Sequence, residues 1–304
     1  MFDAYFLQQV VNGLSVGMVY ALMAIGFTLI FGVLNVVNFA HGEMYTIGAF
    51  AGLIIISSLQ VPLWVAILLA MAAGGLAGIV LERIAFKPFR RFMDEASIKS
   101  KALRESTLLS SLAVSIIIKE GLQHLFGAEM QAIPQEYLLT KSIRIGPITF
   151  SSGQFIILGS SIVMLVGLQY LLFRTRTGLA IRAISNNPLG AQAVGINTDK
   201  TIIATFAIGS MLGGAAGLMV GLYYGAIYPN MGFAPGIKAF VAMVMGGLSS
   251  IPGAVISALI LGVSESVATD FVSSGWSDMI AYSFLVVTLI FFPSGIFGAG
   301  RERV

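Results

Sequence analysis

The chain has 304 residues, of which 57% are hydrophobic and only 10% are Asp, Glu, Lys or Arg, against about 25% charged residues in a typical soluble domain. With a mean hydropathy of +0.92 at 32.2 kDa, so few charges cannot cover a water-facing exterior, which excludes a soluble enzyme, a nucleic-acid binder and a disordered scaffold. There is no cysteine, so disulfide staples and thiolate metal sites are excluded, and the net charge of +3 speaks for basic loops held on one side of a membrane.

In chain order, the first Lys or Arg is Arg83. The N-terminus lacks the basic region of a secretory signal, so it is expected to stay on the mature protein. Apolar runs follow at 10–34, 42–59, 62–81, 107–126, 154–173, 201–222, 237–248, 252–269 and 279–293. Most are long enough to span a bilayer, which takes roughly 20 residues per helix. The run 237–248 is short and bounded by glycine, so it is predicted to be a half-helix or a broken segment. The fold class expected is an all-α polytopic transmembrane helix bundle with about eight to nine membrane segments, one of them short or broken, forming a single domain over 1–304.

Between the first two runs lies Asn35-Val-Val-Asn-Phe-Ala-His-Gly-Glu43. Polar groups at membrane depth are costly and usually face a bundle interior or an aqueous cavity. Asn38, His41, Glu43, Tyr45 and Thr46 are therefore candidates for a solute path, since an unwound stretch with flanking helix ends presents backbone groups to a polar solute. The competing reading is a short turn near the cytoplasmic boundary, with His41 and Glu43 reaching the headgroups. A metal site is not expected, because it needs three or four ligands and the only other histidine, His124, lies in a different span.

The basic residues divide the loops. Segment 82–106 holds Arg83, Lys87, Arg90, Arg91, Lys99, Lys101 and Arg104, and segment 174–200 holds Arg174, Arg176, Arg182 and Lys200, together eleven of the 17 Lys and Arg residues. Both segments are expected in the cytoplasm, with the N-terminus and the 127–153 loop outside. A full crossing at 232–249 puts Arg301 and Arg303 inside, which the charge rule favours, whereas a segment that only dips in and returns puts the tail outside.

Within 174–200, Ser185 or Asn186 is predicted to cap a short amphipathic helix with Pro188 in its first turn and Gly195 at its end. Leu189, Ala193 and Ile196 would share one face. Such a helix suits docking of a soluble partner, although a loop that only covers helix ends would look similar. Gly-x-x-x-x-Gly-Lys-[Ser/Thr] is absent, so ATP, if used, must act through another subunit. Gly209, Gly213, Gly217, Gly221 and Gly225 recur every four residues, predicting a stripe where another backbone approaches; Gly13, Gly17 and Ala21, and Gly74 with Gly78, repeat the pattern. Glu265 reads either as an ion site or as a carboxyl bonded to Ser264, Ser266 or a neighbouring helix. Lys238 is expected at the outer mouth, either attracting a carboxylate or snorkelling.

The sequence resembles the permease subunits of branched-chain amino-acid ABC importers over nearly its whole length. The resemblance rests on Gly17–Gly32, Asn38-Phe-Ala-His-Gly-Glu43, Arg182-Ala with Ala193-Val-Gly-Ile-Asn197, Ala239–Gly253 and Phe-Pro-Ser-Gly-Ile-Phe-Gly298. It departs at Asn186-Asn187-Pro188, where many relatives are expected to carry an acidic residue. The resemblance implies a multi-pass protein of the bacterial inner membrane, working beside a second related permease, two cytoplasmic ATPase subunits and a periplasmic or extracellular solute-binding protein, with no nucleic acid. It implies that Arg182, Asn186, Asn187, Ala191, Ala193, Gly195, Ile196 and Asn197 belong to a coupling helix seated in an ATPase groove. It also implies no cofactor on this chain, ATP and Mg being held by the ATPases, and no covalent chemistry. An ion-coupled secondary transporter using Glu265 and a passive urea or amide channel stand as alternatives.

Overall fold

The structure, a computed structural model, describes residues 2–90, 101–139, 141–146, 148–271, 273 and 275–298. Arg91, Lys99, Arg301 and Arg303 lie outside the described residues, as do the whole connection at 91–100 and the end of the tail. Among the described residues, seven helical stretches are long and apolar enough to cross a membrane, and two shorter apolar helices accompany them. These nine segments form the all-α bundle expected.

Helix α1 (Phe2–Leu34) runs 33 residues, roughly 50 Å at 1.5 Å per residue, so it overshoots a hydrocarbon core of about 30 Å. It stops where Asn35 turns left-handed at φ 55°, a conformation asparagine tolerates better than most residues. After an unwound stretch, α2 (His41–Leu59) begins. In the turn ahead of it, Asn38 Oδ1 accepts the Ala40 N–H at 3.1 Å. Helix α3 (Leu63–Leu81) continues through a π turn at Glu82–Phe86 into the short α4 (Lys87–Arg90). Helix α5 (Lys101–Phe126) returns, and the connection to α6 (Ser152–Arg174) carries β1 (Gln131–Ala132) and a hairpin of β2 (Ser142–Ile145) with β3 (Ile148–Ser151). Ser151 and Gln154 form a capping box that starts α6.

Two short helices follow, α7 (Arg176–Asn186) and α8 (Pro188–Ala193), before α9 (Thr198–Tyr224). Strand β4 (Ala226–Ile227) pairs with β1. Then come α10 (Phe233–Gly246), α11 (Ile251–Phe271) and α12 (Trp276–Phe291). At 14 residues, α10 is the short segment predicted at 237–248. The stretch after α12 folds back on its end, where the Ile296 N–H donates to the Met245 carbonyl at 2.7 Å. Residues 292–298 are thereby tied to the C-terminal end of α10.

The packing has an internal symmetry. Helix α1 packs along α11, and α9 packs along α3. Reciprocal glycines make both contacts: Gly13 and Gly17 meet the backbone of Gly262, while Gly74 and Gly78 meet Gly214 and Ser210. Helix α2 lies on α9 as α10 lies on α1, and α1 crosses α9 where Gly26 and Gly209 touch. The run α1-α2-α3-α5 is thus matched by α9-α10-α11-α12 with the chain direction reversed, an inverted repeat. Each copy has a break before its second helix.

The glycine stripe of α9 is used residue by residue. A Cβ on Gly209 would lie 3.1 Å from the Gly26 Cα, and one on Gly217 would fall on the Tyr45 carbonyl. Gly213 sits more loosely against Met44 and Tyr45, and Gly221 faces Ile227. Gly225 departs from the predicted stripe: it is the left-handed cap that ends α9, at φ 73°.

Candidate functional site

The two breaks meet inside the bundle. A Cβ on Gly42 would lie 2.8 Å from the Gly232 carbonyl oxygen, and one on Gly236 3.1 Å from the Gly42 Cα. Thr46 joins them through a bond to its Oγ1 from the Gly232 N–H at 3.1 Å. On α2, the break lies beside Gly209 and Gly213, well along α9 from its start at Thr198. The start of α2 therefore lies inside the bundle, while Gly32, just before the break, faces Ser185 of α7.

The five residues singled out on α2 and its entry are all buried, none more than 3% exposed, but they do different work. Asn38 holds the turn before the helix, its Oδ1 accepting the Ala40 N–H, and its Nδ2 has no partner. His41 is a wedge between α1 and α9, its ring 4.6 Å from that of Phe27 at 65°, over Gly26, where a side chain would occupy the imidazole's space. Neither imidazole nitrogen makes a well-formed hydrogen bond, although the Met23 carbonyl faces the ring. Glu43 points the other way and accepts from the Ser115 hydroxyl of α5 at 3.0 Å, leaving Oε2 unpartnered. Tyr45 lines a cavity.

That cavity, of about 100 Å³, lies among α1, α2, α6, α9 and the first turn of α10. Tyr20, Tyr45, Tyr223 and Tyr224 line it with Ser15 and Pro235. Except for Tyr45, none of these was singled out from the sequence. A signal was present: Phe39-Ala-His-Gly42 recurs as Phe233-Ala-Pro-Gly236, so the second break and its proline were legible as a repeat of the first.

Beside the cavity is a charged cluster in which Lys238 and Glu265 are largely buried and Asp278 is exposed. Lys238 is 7% exposed, so it neither sits at the mouth nor snorkels as expected. Its Nζ lies 2.6 Å from Glu265 Oε1 and 3.1 Å from Asp278 Oδ1, and it donates to Ser277 Oγ at 2.7 Å. Glu265 also accepts from the Tyr20 hydroxyl at 2.9 Å. Its partners are thus on other helices, not Ser264 or Ser266; Ser266 donates to Gln9 of α1 instead. Among the described residues no cluster of three or more His, Asp or Glu could hold a metal ion.

At the end marked by Arg83, Arg174 and Arg182, the segment 176–197 forms two helices where one was predicted. Ser185 and Asn186 close α7, the Asn186 side chain donating to the Arg182 carbonyl at 3.0 Å. The cap of α8 is Asn187, which accepts from Gly190 at 2.9 Å with Pro188 in the first turn. Gly195, at φ 85°, ends α8 in a Schellman arrangement: the Ile196 N–H reaches the Ala191 carbonyl and the Gly195 N–H that of Gln192. Asn197 then caps α9 through Lys200. Ala191 is buried, whereas Leu189 (47% exposed), Ala193 and Val194 (77% exposed) face outward. Ile196 is half-buried. The guanidinium of Arg182 stacks 4.6 Å from the Phe173 ring.

Inverted repeats whose discontinuous helices meet at mid-bundle, beside a small aromatic cavity, define a polytopic membrane transport protein. The family model described as "Branched-chain amino acid transport system / permease component" matches residues 9–291, and the chain belongs to that family. The chain is 34% identical over 306 residues to the high-affinity branched-chain amino acid transport system permease protein LivH of Salmonella typhimurium, covering 97% of this chain and 96% of the relative. BraD of Pseudomonas aeruginosa is 35% identical with the same coverage. A probable branched-chain amino acid transport permease of Methanocaldococcus jannaschii is 28% identical over 93% of this chain and 90% of its own length. The chain is a multi-pass permease subunit of the inner membrane.

Proposed function

We propose that this chain is one of two permeases in an ATP-driven importer that moves branched-chain or other hydrophobic amino acids inward. Two ATPase subunits dock on the face that carries α7 and α8, and a solute-binding protein docks on the opposite face. The end bearing Arg83, Arg174 and Arg182 is then cytoplasmic, as the positive-inside rule requires. The observation that carries this reading is the meeting of the two broken helices at Gly42 and Gly236 next to the tyrosine-lined cavity. Two half-turned helix starts held by a Thr46–Gly232 bond form a joint that opens by small rotations of one repeat against the other.

The chain itself performs no covalent step and binds no cofactor. ATP and Mg act in the partner subunits, whose closure pushes α7 and α8 and through them α6 and α9, to which they are joined end to end. Net direction comes from the different affinities of the two permease states for the ATP-bound dimer and the loaded binding protein. Leu189, Ala193 and Val194 form the exposed apolar contact that suits an ATPase groove, with Asn187 and Gly195 fixing the shape of the knob. The test is reconstitution of this chain without ATPases under an imposed ion gradient. No leucine uptake is expected, and gradient-driven uptake overturns the proposal in favour of a secondary transporter.

A further inference from the structure

We propose that Ser185 is a positioning residue through which movement at the ATPase face reaches the first broken helix: it presses on Gly32, α7 and the last turn of α1 travel as one body, and Asn35 is the joint about which they turn. This rests on the importer reading above, in which α6 and α9 are moved, and adds to it a direct route from α7 to α1.

Helix α7 is built as a brace. Gly178, Ile181, Ile184 and Ser185 are spaced three and four apart and so share its inner side. At one end the corner with α6 is closed. The Thr175 hydroxyl accepts the Gly178 N–H at 3.1 Å and donates to the Leu171 carbonyl at 2.6 Å, and a Cβ on Gly178 would fall on that same carbonyl. In the middle, Ile181 and Ile184 are buried in the core. The helix of 11 residues is roughly 16 Å long, and its far end carries Ser185. A Cβ on Gly32 would lie 3.0 Å from Ser185 Oγ and 3.8 Å from Ser185 Cβ. Among the described residues, nothing else outside α1 comes within 4 Å of that point. Interiors packed this tightly have low compressibility, so a displacement of α7 is handed on to α1 and not absorbed.

The receiving turn is followed at once by a place that can bend. Asn35, three residues after Gly32, still donates its N–H to the Phe31 carbonyl at 2.7 Å. Its φ of 55° then turns the chain out of the helix. The six residues Asn35–Ala40 lead directly into α2 at His41, so a shift of the last turn of α1 is delivered at the start of the broken helix. The end of α9, before the second break, is held from another element: the Ile133 N–H bonds the Gly225 carbonyl at 3.0 Å. Contact with α7 is thus matched to the first break.

The chain has no cysteine, so a pair placed at this contact can be cross-linked without interference from elsewhere in it. The 3.8 Å between the two Cβ positions suits a disulfide. The test uses the complete complex in proteoliposomes with binding protein, following leucine uptake and ATP hydrolysis together. Gly32→Cys with Ser185→Cys should form a disulfide on mild oxidation and keep ATP-driven uptake. Ser185→Gly, which removes the side chain from the contact, should leave co-purification with the ATPases unchanged. It should lower the leucine carried per ATP by about fivefold, the low end of a typical coupling between two sites. Should that variant not assemble, Gly32→Ala sets a methyl against Ser185 Oγ and should lower the same ratio. Ser185→Ala in the same chain should then restore it, because the nearest neighbour of the methyl recedes to 3.8 Å. A disulfide that does not form, uptake lost on oxidation and regained on reduction, or an unchanged ratio in Ser185→Gly or Gly32→Ala overturns this proposal alone. A complete parent complex that takes up no leucine with ATP and binding protein present overturns the importer reading instead.

Discussion

Gly42 and Gly236 stand against each other at the centre of the bundle, so close that a Cβ on Gly236 would come within 3.1 Å of the Gly42 Cα. Each is the fourth residue of a Phe-Ala-x-Gly sequence at the start of the second helix of its repeat. The two helix starts can share that point because neither carries a side chain there. The cavity and the Lys238–Glu265 cluster are both built around this contact.

Glycines at the helix crossings and glycines facing open space should respond oppositely to alanine. Gly217→Ala forces a Cβ onto the Tyr45 carbonyl and is expected to destabilise by about 1–3 kcal/mol. Gly121→Ala on α5 meets nothing within 4 Å and should stabilise by about 0.5–1 kcal/mol. Thermal midpoints in detergent check this, and equal midpoints for the two variants would refute the packing described for α9.

His41 and Glu43 should matter more for uptake than for assembly. His41→Ala removes the wedge between α1 and α9, and Glu43→Ala breaks the tie to Ser115. Both variants are expected to co-purify with the complex yet transport leucine at a fraction of the parent rate. Full uptake by both would reduce these side chains to packing.

The α8 knob separates docking from folding. Leu189→Glu and Val194→Glu change exposed positions and should abolish ATPase co-purification without lowering the thermal midpoint. Ala191→Glu should lower the midpoint, because Ala191 is 4% exposed and a charge cannot be buried there unpaired. Asn187→Ala should cost about 1 kcal/mol through the lost cap, while Asn187→Asp should be nearly neutral, since both residues cap well. The acidic residue expected here in many relatives is thus compatible with the same cap. Loss of co-purification only in Ala191→Glu would place the contact elsewhere.

The Lys238–Glu265 pair should show strong coupling. Lys238→Met or Glu265→Met alone leaves a buried charge without its main partner and is expected to cost about 3–5 kcal/mol. The double variant should recover most of that loss. Additive losses in a double-mutant cycle would mean the two groups do not act as a pair.

The sequence disclosed what rests on local chemistry. Apolar runs gave the spans because each must satisfy its backbone bonds within itself. The weak run at 237–248 marked α10, and Gly195 marked the end of α8. Less legible was whatever depends on which helix lies opposite. Nothing local to Lys238 says that Glu265, 27 residues away, will neutralise it. Likewise Asn187 and not Ser185 became the cap because α7 persists to Asn186, a length set by Ile181 and Ile184 packing into the core. His41 and Glu43 stand two apart on α2, so they face different neighbours and never form one site, a consequence of helical geometry that was readable once the helix start was known.

The most direct measurement is labelled leucine accumulation in proteoliposomes that contain this chain, a related permease and the ATPases, with binding protein on the opposite face. Uptake should require hydrolysable ATP on the side of α7 and α8 and should disappear in Leu189→Glu with Val194→Glu. Accumulation that proceeds without ATP, or that is unaffected by charge on the α8 knob, would contradict the account.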